Sequence, residues 1–499
     1  MRRGVLLTAA AVLLAGPTVL AFQSGGYFDG PRFVATLVAW VLVLVVAVAA
    51  GRPIPASVPG RVAVAGVALI AAWTATSLTW APLSESATDA LVRLLLYAGA
   101  LIAAAGLLRD RFALWAVGPV LAGGALVVIG YGLSGRLLPG VIHLHQSVTA
   151  LGRLEQPITY WNAEGALAAM GFVLCAGLAG STARPQAMRV GAAAASAPLG
   201  MGVYLTYSRG ALAAGLVGLV VLVAIAPTRP QLRAAAIALG AALVAAAASE
   251  LLAGVSSLEG SIADRERDGA IALVILVVVM AAAAFAQLRA TRLERRSPSE
   301  NARLAIAPRL PAIGALAALL AIAVLVGTAI ADRGGSDPLS KRTGISRLGS
   351  ADSRRYDYWR VGIEAFADKP LTGVGAGGFR AEWVRERPVR DPALEVHSLP
   401  LEMLTELGLP GLFALGLLVG GVAVAGRRAL RVHPELAPGA CAAAAVWALH
   451  ATIDWDWQLP AVTLPAIVLA GTLIAMSESG RAEPAEAAPT GATRAGSAA

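Results

Sequence analysis

The most informative stretch of this chain runs from Asp352 to Gly411. This stretch reads DSRRYDYWRVGIEAFADKPLTGVGAGGFRAEW, then a charged run, then VHSLPLEMLTELGLPG. It is rich in arginine, holds a single histidine, and interrupts a chain that is otherwise almost wholly apolar. A chain that keeps its polar chemistry in one loop outside the membrane is expected to place its active site there. Residues 352–370 read as a helix, capped by Asp352 or Ser353 and stopped by the constraint that Pro370 puts on Lys369. Trp359, Ile363 and Phe366 would form its apolar stripe, with Arg355 one turn before Trp359. The glycines that follow, Gly373 and Gly375 among them, either offer backbone N–H groups to an anion or form a flexible turn beneath a packed Phe379. They are not a Walker loop, and no strand-then-helix context supports a dinucleotide fingerprint.

Three other positions stand out. His397 directly precedes an apolar run and reads either as a functional imidazole or as a structural hydrogen-bonder at a membrane interface. Arg209, in Ser208-Arg209-Gly210 between two apolar runs, reads by itself as a snorkelling anchor. The segment from Arg153 to Asn162 reads by itself as an aromatic belt with a helix cap.

The elements that must position these residues are membrane helices. The 499-residue chain is 57% hydrophobic and 14% charged, against roughly 25% charged in soluble domains, and its mean hydropathy is +0.70. Apolar runs long enough to cross a bilayer recur along its length, so the fold class is an all-α polytopic membrane protein. Fourteen spans are expected, near 5–22, 32–50, 60–80, 88–107, 112–133, 162–180, 188–207, 209–226, 231–249, 269–287, 311–331, 408–426, 438–453 and 460–476. The first also resembles a secretory signal, but is read as a retained span. The domain plan is therefore membrane helices over 1–331, a large loop over 332–407, further helices over 408–476, and a low-complexity, disordered tail over 477–499.

Net charge +9 would suggest nucleic acid in a soluble protein; here the basic residues sit in short loops and set topology. With the N-terminus inside, Arg2, Arg52, Arg109, Arg184, Arg229, the arginines from Arg289 to Arg309, and Arg427 all fall on the cytoplasmic side. The alternation places both termini inside, the loop 332–407 outside, and the chain in a bacterial cytoplasmic membrane. Cys175 and Cys441 both lie in apolar runs, so no disulfide framework or thiolate metal site is available.

Taken together and in order, these pieces resemble the O-antigen ligase and O-antigen polymerase family of bacterial envelope glycosyltransferases. The resemblance rests on Ser208-Arg209-Gly210, on Arg355 four before Trp359, on Pro370 to Phe379, on His397, and on Glu406 to Gly411. The Tyr160-to-Asn162 stretch adds to it, and the similarity covers roughly residues 150–430. Ser398 stands where the family often has Asn after the His. About twelve spans are usual in the family, and the extra ones here fall in the motif-free N-terminal third.

The resemblance implies a GT-C-like architecture and transfer of a glycan from a polyprenyl (undecaprenyl) diphosphate to an acceptor hydroxyl on a glycan, lipid or wall component. It implies membrane lipid as the surroundings, no nucleic-acid partner, no cofactor and no metal. The anomeric centre would invert. Guanidinium groups hold phosphate by two-point hydrogen bonds, so Arg209 and Arg355 are assigned to the leaving diphosphate, with Arg354 and Arg360 in support. His397, whose ordinary pKa lies near working pH, is assigned as the base. Arg153, Asn162, Gly373, Gly375, Glu402 and Glu406 are expected to contact substrate.

Two other classes compete. Asp454-Trp455-Asp456, near His450, is an Asp-x-Asp sequence able to hold Mg²⁺ or Mn²⁺ against a diphosphate, or else an interfacial belt. A non-catalytic flippase for lipid-linked glycans would show ionisable residues deep in its spans, and Arg93 is almost the only one the sequence suggests. A reporter fused near Asp391 is expected to be active only outside the cytoplasm; activity inside would overturn the topology.

Overall fold

The computed structural model of the protein describes residues 1–296, 355–388 and 392–479. All regular structure among these residues is helical. Ten of the described helices are long and apolar enough to cross a membrane: Arg2–Ala21, Asp29–Ala50, Val58–Ser77, Ser84–Leu107, Arg111–Leu137, Trp161–Gly180, Arg229–Glu250, Ile262–Arg296, Leu399–Val432 and Pro460–Ser479. Three further expected spans are helices too. Gln186–Leu205 has 20 residues, while Arg209–Ile225 and Ala437–His450 are shorter apolar helices. The expected span at 311–331, the caps Asp352 and Ser353, Arg354, Asp391 and the tail beyond Ser479 lie outside the described residues.

Two helices form the centre. Trp161–Gly180 and Pro460–Ser479 are each 94% buried over their apolar stretch, against 22% for Asp29–Ala50 at the periphery. A helix that is apolar all round belongs inside a bundle. Half the residues of Trp161–Gly180 are Ala or Gly, which lets neighbouring backbones approach where lipid supplies no hydrophobic drive.

The sequence reading of ionisable residues needs correction. Arg32, Arg136, Arg189, Glu164 and Glu294 are buried in helices as well as Arg93. All but Arg93, which is ten residues into Ser84–Leu107, sit in terminal turns. Arg136 donates to the carbonyls of Val255 at 2.6 Å and Gly152 at 2.5 Å. Arg189 forks onto Glu294 at 2.8 and 3.1 Å and also donates to the Ala179 carbonyl. The two ends of the bundle differ in kind. One end carries Arg3–Asp110, Arg109–Glu478 and Arg189–Glu294. The other gathers Ser208-Arg209-Gly210, the Asp454 turn and the helices of the 355–398 segment.

Those helices are Arg355–Asp368 and Phe379–Glu386. The first ends before Pro370, as its sequence dictates. Its buried face is Tyr358, Val361, Gly362 and Ala365, the i, i+3, i+4, i+7 set of one helical side. Ile363, expected in the apolar stripe, is 56% exposed. The reason is that Gly362 seats the helix against Thr405, whose hydroxyl donates to the Gly362 carbonyl at 3.0 Å. Ile363 is then turned about 100° away. Tyr358, Val361, Phe379, Trp383 and Val396 make a small core of their own.

Leu399–Val432 bends at Gly408, which has φ 66°. Only glycine adopts that conformation freely, and a Cβ there would lie 2.7 Å from the Pro370 carbonyl oxygen. The bend lets Leu409 N–H donate to Pro370 O at 2.8 Å and Val374 N–H to Thr405 O at 2.9 Å, docking the glycine loop onto the helix.

Glu294→Ala is expected to lower stability by about 3–5 kcal/mol, because it strands the buried Arg189 charge. Denaturant titration in detergent, compared with the double variant Arg189→Met/Glu294→Leu, checks this; the double variant should recover much of the loss.

Candidate active site

The turn between Ala437–His450 and Pro460–Ser479 supplies the floor of the site. It holds Asp454, Trp455 and Asp456, and both carboxylates are buried. The two acids take different partners. Asp454 Oδ2 accepts from Arg355 at 2.5 Å and its Oδ1 accepts from the Tyr160 hydroxyl at 2.7 Å. Asn162 Nδ2 in turn donates to that hydroxyl at 2.8 Å. Asp456 pairs with Nδ1 of the fully buried His450. Burial alone would raise the Asp454 carboxyl, but Arg355, with His450 and His397 behind it, holds it below the ordinary carboxylate value. Asp456 goes the other way, because burial outweighs the help of His450. Arg355 is the mirror of Asp454: burial would lower it, and Asp454 keeps it above its usual value.

His397 sits against the same turn. Its ring stacks on Tyr358 at 5.0 Å and meets Trp455 edge-on at 6.2 Å. Nδ1 lies 2.9 Å from the Glu395 carbonyl, which can only accept, so Nδ1 carries the proton. The backbone at His397 is left-handed, φ 60°, a conformation that costs a side-chain-bearing residue about 1–3 kcal/mol and persists where the surroundings enforce it. The following Ser398 starts Leu399–Val432 but makes no side-chain cap; Leu399 N–H instead donates to Ala451 O at 2.8 Å.

The Ser-Arg-Gly turn closes the third side. Ser208 caps Arg209–Ile225 by accepting from Ala211 N–H at 3.2 Å. Gly210 lies so close to His450 that a Cβ would fall 3.1 Å from its Nε2. Arg209 is half-buried beside that contact. Arg355, His397, Asn162 and the Arg209 turn thus converge around Asp454 and His450.

Other expected residues stand elsewhere. Gly373 and Gly375 do not offer free amides to an anion: their N–H groups donate to Lys369 O and Glu406 O, both at 2.9 Å. The Glu406 carboxylate accepts from Gly377 N–H at 2.8 Å and Phe379 N–H at 3.4 Å, so it holds the glycine loop. Arg360 pairs with Glu364 at 3.1 Å on the exposed side of its helix, away from Arg355. Arg153 lies over Trp161, 4.6 Å from the ring centre, one side chain removed from Tyr160. Glu402 accepts from Gln458 at 2.9 Å and belongs to a neighbouring cluster.

Sequence reasoning took Asp454 for a metal ligand or belt residue and did not see Asp454 and Tyr160 as partners of Arg355, or His450 as the partner of Asp456. A signal was present: two acids and a histidine within seven residues, between apolar runs that must bury them. Among the described residues, no group of three or more His, Cys, Asp or Glu is arranged to hold a metal ion.

These helices and this cluster define a polytopic helical membrane protein with a polar site at one end of its bundle. Residues 194–416 match the family model described as O-antigen ligase. No curated protein matches the chain. The match supports an O-antigen ligase-like family and a ligase- or polymerase-like activity in general. It takes in Arg209, Arg355, His397 and Glu406 to Gly411, and leaves out Asn162 and Asp454.

The depressed Asp454 carboxyl makes a pH prediction. Its pairing stabilises the fold above the ordinary Asp value, 3.8, and that contribution is lost as pH falls through the lower folded value. Asp454→Asn should therefore lower the melting temperature at pH 7, with the gap from wild type narrowing only below about pH 4. A gap unchanged down to pH 2 would mean the Arg355 pair contributes nothing.

Proposed function

We propose that the protein transfers a glycan from a polyprenyl (undecaprenyl) diphosphate to an acceptor hydroxyl at the outer face of the cytoplasmic membrane. The arginine alternation supports a topology with the site end outside and both termini inside. The observation that carries the reading is the placement of Arg355, held at 2.5 Å by the buried Asp454 beside His397 and the Arg209 turn.

The chemistry follows from charge. As the acceptor oxygen bonds to C1, the C1–O bond to phosphate breaks and negative charge grows on the leaving diphosphate. Arg209 and Arg355 stabilise that charge, and they act strongly because the surroundings are apolar. Asp454 and Tyr160 hold the Arg355 guanidinium in place. The Nδ1–H bond to Glu395 leaves Nε2 of His397 as the basic nitrogen, which takes the proton from the acceptor hydroxyl. Attack opposite the leaving group inverts C1. Asn162 acts through the Tyr160 hydroxyl.

A metal-dependent reaction through Asp454 and Asp456 is less well supported. Each carboxylate already has a side-chain partner, Arg355 for one and His450 for the other, so a divalent ion would have to break both pairs. This pairing also sets what Asp454→Asn should do: the substitution loosens Arg355 and lowers transfer.

With an undecaprenyl-diphosphate-linked donor and purified protein, His397→Ala and Arg209→Ala should each cut transfer at least about tenfold, since acid–base contributions run about 10²–10⁴-fold. Arg355→Lys should be poor, because an ammonium loses the two-point fork. Activity should survive EDTA. Near-wild-type transfer by His397→Ala at equal abundance would overturn its role; loss in EDTA restored by Mn²⁺ would favour the metal reading.

A further inference from the structure

A second polar cavity, of about 350 Å³, lies beside the Asp454 turn, between the starts of Asp29–Ala50 and Ser84–Leu107 and the segment leading into Leu399–Val432. Its size falls in the range of small-molecule sites, about 300–1,000 Å³. Tyr27, Arg32, Arg93, Arg380, Glu395 and Gln458 line it. Most of these groups are matched. Arg32 reaches Asp89 at 2.9 Å and also pairs with Asp29. Arg380 reaches Glu395 at 3.4 Å and Ser86 at 3.3 Å. Gln458 Nε2 donates to Glu395 at 3.1 Å and Glu402 at 2.9 Å.

Three buried polar atoms remain, one of them Nε of Arg32, itself 3% exposed. Arg93, 6% exposed and lining the cavity, has no hydrogen-bond partner at Nε. Glu402, 3% exposed and joined to the wall through Gln458, has none at Oε2. Native proteins rarely leave such groups unmet, so each unmatched one calls for an explanation.

The chemistry of the lining selects the ligand. Three guanidiniums face the carboxylates of Asp29, Asp89, Glu395 and Glu406, so there is no excess positive charge to draw a phosphate. Donors and acceptors alternate instead, which suits neutral hydroxyls that both donate and accept. Tyr27 and Phe28 add an apolar face.

The cavity shares a wall with the first site. Tyr27 meets Trp455 edge-on at 5.8 Å, and Trp455 packs on Tyr160 at 4.5 Å and on His397 at 6.2 Å. Glu395 turns its carboxylate to the cavity and its carbonyl to His397 Nδ1.

We propose that this cavity is a saccharide subsite that holds a neutral sugar residue of the acceptor beside His397. Calling the sugar an acceptor rests on the transfer reading above; binding of a sugar here does not. The test uses the full-length protein in lipid nanodiscs. Free glucose, galactose and N-acetylglucosamine are titrated separately and followed by tryptophan fluorescence, with undecaprenyl diphosphate titrated in parallel. At least one sugar should bind the wild type saturably and at least tenfold more weakly to Arg93→Gln and to Ala90→Met. Ala90 also lines the cavity, so Ala90→Met fills it, keeps every charge, and decides the matter if Arg93→Gln does not fold. Undecaprenyl diphosphate should bind all three proteins within twofold. The proposal is overturned if no sugar binds the wild type saturably, or if folded Ala90→Met binds as the wild type does. Failure of undecaprenyl diphosphate to bind would overturn the donor reading and leave the sugar result standing.

Discussion

The ion pair between Arg355 and Asp454 joins two parts of the molecule that the chain itself keeps 99 residues apart. Arg355 begins a helix outside the apolar bundle, and Asp454 lies in the turn between two helices that pack inside it. A carboxylate buried this deeply is tolerable only with a charge partner and hydrogen bonds, and Asp454 has Arg355 and Tyr160. The same constraint that pins the acid therefore pins the loop helix, and with it the stacked Tyr358 and His397. The site's geometry is a consequence of satisfying one buried charge.

The second support is backbone. Gly408 bends Leu399–Val432 so that residues 370–379 can dock against it. Glu406 completes the dock by accepting two amide protons from the glycine loop. The loop's amides, which by type alone suit an anion, are thereby used to fix where Phe379, Trp383 and the helix before them lie. The polar groups that remain for substrate are side chains, and they fall on two faces of the 393–397 segment: guanidiniums and imidazole toward Asp454, and a balanced set of acids and arginines toward the Arg93 cavity.

On the proposed transfer, this division would let one end of an apolar bundle serve a charged leaving group and a neutral glycan. A diphosphate needs net positive charge in a dry setting, whereas sugar hydroxyls need paired donors and acceptors. Trp455 and Glu395 stand between the two and contribute to both.

The sequence by itself determined that this is a helical membrane protein. A backbone in lipid must satisfy its own hydrogen bonds, and runs of about 20 apolar residues leave no other solution. It also singled out Arg209, Arg355 and His397, whose proposed roles rest on the resemblance of their ordered motifs to a known family, and it stopped the loop helix at Pro370. It did not determine which face of that helix is buried: the seat of Gly362 on Thr405, not hydropathy, turned Ile363 outward. Nor did it reveal that Asp454 belongs to Arg355, Asp456 to His450, and Arg93 to a cavity with Glu395. Those partnerships join residues far apart in the chain, and only the tertiary packing, by excluding water from each charge, decided which groups had to meet.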